Sequence, residues 1–139
     1  MSVDITAGIV AFLKADSGVS ALTDGRVFGV EVPGSEASAM PRKAVVARPS
    51  GGASFASGSF VEHETQRLDI LAYGETVFEA ERLRRAVFDA IRAKRRGKVG
   101  ATLIHWIDPA GGWATQREAD VSWPVAFQSV NVFFALQPA

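Results

Sequence analysis

Residues 67–83 read Arg67-Leu68-Asp69-Ile70-Leu71-Ala72-Tyr73-Gly74-Glu75-Thr76-Val77-Phe78-Glu79-Ala80-Glu81-Arg82-Leu83. Across this stretch the hydrophobic period changes from about two residues to about 3.6. Leu68, Ile70 and Ala72 alternate with Arg67 and Asp69, as in a half-buried strand. Gly74 breaks the pattern, and Thr76-Val77-Phe78-Glu79 is a capping box that satisfies orphan amides at a helix start. Ala80, Leu83, Val87, Ala90 and Ile91 then form one helical stripe running to Lys94 or Arg95. Glu81 and Arg85 are an i,i+4 pair in the favourable order. Lys94, Arg95 and Arg96 stand where the helix dipole favours cations, and Gly97 is read as the residue that ends the helix.

Upstream, Asp4 is a good N-cap, and Ile5, Ile9, Phe12 and Leu13 share one face of a first helix reaching Ala15. Ser17–Leu22 adds a short helical turn that Thr23-Asp24-Gly25 stops. Short strands are expected at Arg26–Val30 and Lys43–Arg48, with a loop at Pro33–Met40 between them. Ser50–Gly58 reads as a flexible Gly/Ser segment leading into a long strand from about Phe60 to Tyr73. The first part of that strand, Glu62 to Gln66, is polar on both faces. Residues 50–66 are therefore read as a loop and arm projecting from the body.

Downstream, a strand is expected from Ala101 to Ile107, a turn at Asp108-Pro109-Ala110-Gly111-Gly112, and a closing strand from Val121 to Leu136. Val121, Trp123, Val125 and Phe127 alternate in one phase, and Val130, Val132, Phe134 and Leu136 in the other. That switch predicts a bulge near Gln128-Ser129, and Pro124 predicts a sheet edge. The order α, β, β, β, α, β, β implies an α+β class: a mixed or mainly antiparallel sheet, two main helices on one face, and an extended arm.

The chain has 139 residues, which suits one domain spanning its whole length. Hydrophobic residues are 47% and charged residues 22%, a composition that supports a packed core. Fifteen basic residues balance fifteen acidic ones, which argues against a nucleic-acid binder and favours self-association. The absence of cysteine excludes disulfides, thiol nucleophiles and cysteine-ligated zinc. No apolar run approaches a membrane span, and Met1-Ser2-Val3-Asp4 lacks the order of a signal peptide, so neither a membrane partner nor export is expected.

The residues offer little that asks for catalysis. His63 and His105, the two histidines, fall in different strands without ligand spacing. Ser50-Gly51-Gly52-Ala53 is followed by neither a GK[ST] motif nor a helix, so it does not match a phosphate cradle. No cofactor, metal ligand or catalytic residue is assigned, and the expectation is a protein that is not an enzyme. The cluster Lys94-Arg95-Arg96-Gly97-Lys98 has two readings, phosphate contact and helix capping. Trp113, in a Gly/polar stretch, is a candidate interface anchor, and Trp106 is read as a core residue.

Three segments carry a resemblance to the tail-completion or tail-terminator family of long-tailed phages and related gene-transfer particles. These are the N-terminal helix running into Ala21-Leu22-Thr23-Asp24-Gly25-Arg26-Val27-Phe28, the strand Leu68–Tyr73 passing through Gly74 into Glu79-Ala80-Glu81-Arg82-Leu83, and the closing Ala126-Phe127…Val132-Phe133-Phe134-Ala135-Leu136. After Met40 the chain has Pro41-Arg42-Lys43 where that family tends to an aromatic-rich strand. The resemblance implies a virion protein, assembled in a host bacterial cytoplasm, that forms a ring, expected to be hexameric, at the head-proximal end of the tail. Such a ring ends tail-tube polymerisation and meets the tail-tube protein and the head connector or stopper protein, with DNA passing non-specifically through its lumen. Interface positions expected on this reading are Gly51, Gly52, Phe55, Phe60, Glu62, His63, Glu64 and Trp113. Arg42, Lys43, Lys94, Arg95, Arg96 and Lys98 are expected to face the lumen or a neighbour. The alternatives are another connector component such as a head-completion protein, a small ligand-binding or enzymatic α+β domain, and a nucleic-acid-binding accessory protein.

Overall fold

The computed structural model describes residues 4–54, 63–99, 102–119 and 121–135, with the backbone alone at 52–54. The elements are α1 (Ile5–Ala15), α2 (Ser17–Thr23), β1 (Val27–Gly29), α3 (Gly34–Ala37), β2 (Ala44–Ser54), β3 (His63–Tyr73), α4 (Val77–Ala93), β4 (Gly97–Val99), β5 (Thr102–Arg117) and β6 (Pro124–Ala135). One six-stranded sheet has the order β1-β2-β3-β6-β5-β4. β1 runs parallel to β2, and every other pair is antiparallel. The mixed sheet, with its helical layer on one face, is the α+β arrangement expected.

The helices begin where local chemistry starts them. Asp4 Oδ1 accepts from Ala7 N at 3.0 Å, and Asp16 Oδ2 accepts from Val19 N at 3.0 Å. At α4, Thr76 Oγ1 accepts from Glu79 N at 3.2 Å, while the Glu79 carboxylate reaches back to Glu75 N at 3.0 Å. Ile5, Ile9 and Leu13 of α1 and Ala80, Leu83, Val87 and Ile91 of α4 pack on Val45, Ala47, Leu68, Ile70, Ala72, Ala126, Val130 and Val132 from the strands. The opposite face carries a smaller cluster of Val46, Leu71, Tyr73 and Val125, with Phe28, Val32, Met40, Trp123 and Phe127 packed against it. Burial and the adjacent Glu118 push the Tyr73 phenol upward in pKa, and its hydroxyl donates to Glu118 Oε1 at 3.1 Å.

The second cluster corrects the reading of β6. The strand pairs with β3 without a register break from Tyr73↔Val125 to His63↔Ala135, so there is no bulge at Gln128-Ser129. Even-numbered positions face the helices, while Val125 and Phe127 face the second cluster. The hydrophobic phase changes because the covered face changes, and Gln128 interrupts the helix-side row because it accepts from Arg84 at 2.6 Å. Pro124 is the first residue of a central strand rather than a residue on a sheet edge.

Register breaks lie instead in β2 between Pro49 and Gly52, and in β5 between Ile104 and Trp106 and between Pro109 and Trp113. Asp108–Gly112 is thus no turn: the chain continues through it as one 16-residue strand, and Gly111 at φ 100° allows the break. Helix α4 ends at Ala93, and Gly97 opens the short strand β4 rather than ending the helix. One helical turn, α3, occupies the stretch read as loop. His63–Gln66, the described part of the expected arm, pairs with β6 throughout, and Glu64–Gln66 also pairs with β2.

The passage from β3 into α4 is tight. A Cβ on Gly74 would lie 2.6 Å from Ala80 N and 2.8 Å from Glu79 Cβ. Gly74→Ala is expected to lower unfolding free energy by about 1–3 kcal/mol, the usual range for overpacking, as read by urea denaturation. An unchanged midpoint would show that this approach is not tight.

Candidate functional site

Arg84 lies in the middle of α4, between the buried Leu83 and Val87, and is only 6% exposed. A buried guanidinium requires a partner for its charge and for its N–H groups. Nε and Nη2 donate to the two carboxylate oxygens of Glu81, each at 2.7 Å, and Nη1 donates to Gln128 on β6. The ring of Trp113 covers the guanidinium, with its centroid 4.2 Å from Cζ. Trp113 is nevertheless 51% exposed. One face of the indole is therefore held by a fixed cation while the ring remains open to solvent. Arg84, Arg85, Asp89, Arg92, Trp113 and Gln128 line a groove of ≈ 450 Å³ between α4 and β5. Arg84 and then Arg85 hold the Glu81 carboxyl below its ordinary range against the opposing effect of burial.

A second cluster occupies the other face of the sheet. Arg96 Nε donates to His105 Nδ1 at 3.2 Å, which makes Nδ1 an acceptor and places the ring proton on Nε2. His105 Nε2 in turn lies 3.3 Å from His63 Nδ1 and donates to it. Phe133 lies beside both imidazoles, with centroids at 5.5 Å and 4.8 Å, and Trp106 packs on Phe133 at 4.3 Å. Trp106 is 50% exposed, so it is a surface aromatic and not the core residue expected. Burial, then the Arg96 charge, then His63 hold His105 below the ordinary imidazole value.

The expected interface and basic positions do not converge within one subunit. Gly51 sits exposed at the β2 register break with φ 109°, its carbonyl accepting from Gln66 Nε2 at 2.6 Å, and Gly52 pairs with Gln66. His63 and Glu64 pair with Ala135 and Phe134. Phe55, Phe60 and Glu62 lie outside the described residues. Trp113 pairs with Gln128, seven positions along β6 from Ala135, or about 23 Å at about 3.3 Å per residue. Arg42 is ion-paired with Glu36, and Lys43 Nζ lies 3.5 Å from Glu79 at the start of α4. Lys94, whose Nζ is 5.9 Å from the Phe12 ring, lies with Arg95, Arg96 and Lys98 at the other end of that helix. α4 spans 17 residues, so the two basic groups are about 25 Å apart.

Sequence reasoning missed Arg84 because its neighbour Arg85 makes the more familiar pair with Glu81. A signal was present, since position 84 is four residues after Ala80 and four before Phe88, inside the buried stripe. The histidine pair left no such signal. His63 and His105 are 42 positions apart and meet only through strand register.

No protein-family model matches the chain, and no curated protein is significantly similar to it. Similar solved structures include a chain of the virion of a native gene transfer agent particle, at TM-score 0.66 and 16% identity over 94% of each chain. The bacteriophage SPP1 gp17 protein is similar at TM-score 0.48 and 17% identity, over 94% of this chain and 87% of that one. At such identity the likeness to the gene transfer agent chain defines a shared fold.

Arg84→Met strands Glu81 and Gln128 beside an apolar side chain and is expected to destabilise the protein by about 3–5 kcal/mol, whereas Arg85→Ala at the exposed end of the same pair costs under about 1 kcal/mol. Equal urea midpoints for the two variants would refute this ranking. Glu81, depressed in the folded state, contributes stability above its ordinary pKa of 4.5 that is lost as pH falls through its folded value. His105 is also depressed, so its contribution is present above pH 6.5 and falls as the solution is acidified through the folded value. In His105→Phe the part of the stability loss that sets in just below pH 6.5 is expected to shrink, measured by thermal melts across that range.

Proposed function

We propose that this chain is a structural virion subunit that forms a ring, a hexamer, at the head-proximal end of a phage-type tail. The ring ends polymerisation of the tail tube and joins the tail to the head connector or stopper protein, with DNA passing through its lumen. The observation that carries the reading is the end-to-end likeness to a chain of the gene transfer agent virion, over 94% of both chains. The order of the three sequence segments that resemble tail-completion proteins supports it, as does an exposed, cation-held tryptophan suited to a protein interface. On this reading function is geometry and binding: a heterologous head-to-tail contact that closes on itself makes a ring of fixed size. The 50–66 segment contacts a neighbour or the tail tube, and the two basic groups, Arg42 with Lys43 and Lys94 with Arg95, Arg96 and Lys98, face the lumen or an adjoining subunit.

Solution mass by light scattering or native mass spectrometry tests the proposal across a concentration series, with and without tail-tube protein. A discrete ring-sized species is expected, either alone or on addition of the tube protein. Deleting Gly51–Gly58 is expected to leave a folded domain by circular dichroism and to abolish that species. A wild-type chain that stays monomeric under every condition sinks the proposal.

A further inference from the structure

A sheet edge exposes unpaired N–H and C=O groups that template another strand unless something blunts it. In β2, Val45 N donates to Arg26 O and Ala47 O accepts from Val30 N, so these odd-numbered residues turn their main chain away from β3. Pro49 follows on that outer side and has no N–H to offer. β1 covers the edge for only three residues and is followed by Val30, whose φ of 70° is foreign to a β-branched residue in a strand. The first part of β5 is also blunted. Gly74 N donates to Pro124 O, so even-numbered β6 residues face β3 and odd ones face β5. Asn131 therefore bonds Asp108, and Pro109 turns outward.

Beyond the second register break the edge is different. Glu118 N donates to Trp123 O at 2.8 Å, and the register continues from Arg117↔Pro124 to Trp113↔Gln128. Ala114 and Gln116 consequently bond β6, while Trp113, Thr115 and Arg117 present their main-chain groups outward. β4 pairs only with Thr102–Ile104. Among the described residues, Trp113–Arg117 is the one run of sheet edge longer than three residues that has no proline, register break or outer partner strand.

We infer that the β5 edge Trp113–Arg117, with its flanking α4 groove, is the acceptor surface for a second copy of this chain, which adds its 55–62 stretch as a further strand. The inference rests on the ring reading and names its subunit contact. Three observations select this occupant. Direct joining of one sheet to the next through β1 and β2 meets the blunted edge. The groove holds Arg84, Arg85 and Arg92 against Glu81 and Asp89, with Arg117 on the edge itself, and 55–62 brings Phe60-Val61-Glu62: an aromatic for Trp113, a β-branched residue and a carboxylate. The stretch also falls short of this edge in its own subunit. It joins Ser54 to His63 at adjacent strand ends, so its out-and-back reach is about 16 Å at about 3.5 Å per residue. Its own Trp113 lies about 23 Å along the sheet from that end. Strand addition from one copy to the unlike edge of the next is heterologous, which is what a closed ring requires.

The chain has no cysteine, so single-cysteine variants report the contact directly. Oxidising an assembled mixture of Thr115→Cys and Val61→Cys subunits is expected to give a disulfide-linked dimer containing one of each, and neither variant alone is expected to cross-link. Thr115→Pro removes one outward N–H and no bond to β6. It is expected to keep the monomer's melting temperature and lose the ring-sized species, while Thr115→Val keeps both. If wild type assembles and Thr115→Pro assembles equally, or Thr115→Cys subunits link to one another or to none, the edge inference is overturned and the ring reading stands. Should Thr115→Pro fail to fold, the cross-link decides. A wild-type chain that never assembles overturns both.

Discussion

The unbroken antiparallel ladder between β3 and β6 is the constraint on which the rest of the molecule depends. It joins residues about sixty positions apart in eleven consecutive pairs at the centre of the sheet. Because side chains alternate along a strand, that register assigns each residue of both strands to a face. Leu68, Ile70 and Ala72 go to the helices together with Ala126, Val130 and Val132, while Leu71 and Tyr73 go to the second cluster with Val125. A slip by one position would exchange the two faces and leave α4 packed on Ser129, Asp69 and Arg67. The polar contacts of the open face, with Ser129 Oγ donating to Asp69 Oδ1 at 2.6 Å, hold only in this register.

Arg84 ties the helical layer to that ladder. Burying a guanidinium carries a desolvation penalty of several kcal/mol, which the two Glu81 bonds, Gln128 and the Trp113 ring offset. Replacing the whole group, Arg84 together with its partners, by well-packed apolar residues of similar volume often does as well for stability. The bond to Gln128 and the stacking on Trp113 are directional as an apolar contact is not. They connect α4, β6 and β5 at one point and hold an exposed indole in place.

Edge management links the fold to the proposed assembly. Proline, a register break or extreme shortness blunts most of the sheet's edges, and each of these removes a donor or shortens the template. The main-chain groups of Trp113, Thr115 and Arg117 escape all three. The indole anchored on Arg84 stands beside that run, so packing and backbone hydrogen bonding converge on one surface. The histidine, Phe133 and Trp106 cluster lies near the far end of β6 and on the opposite face. The two aromatic surfaces are therefore separate features of one sheet.

Local chemistry was legible in the linear chain. The capping residues Asp4 and Thr76, the stripe of α4, the alternation in β3 and the mixed α+β class all follow from interactions within a few positions. Nearest-neighbour sterics, capping bonds and side-chain period suffice for these. The reading failed where a residue answers to something distant. Gln128 looked like the site of a bulge because its partner Arg84 is 44 positions away. Asp108–Gly112 looked like a turn because glycine and proline serve a strand break as well as a reversal. Trp113 was marked as an anchor without its cation, and His63 and His105 without each other, since strand order and register alone set which side chains meet across a sheet. Composition and period thus settled the two main helices and most of the strands. Only the packed sheet decided which face each residue serves and which edge stays open, because those depend on pairings between residues far apart in the chain.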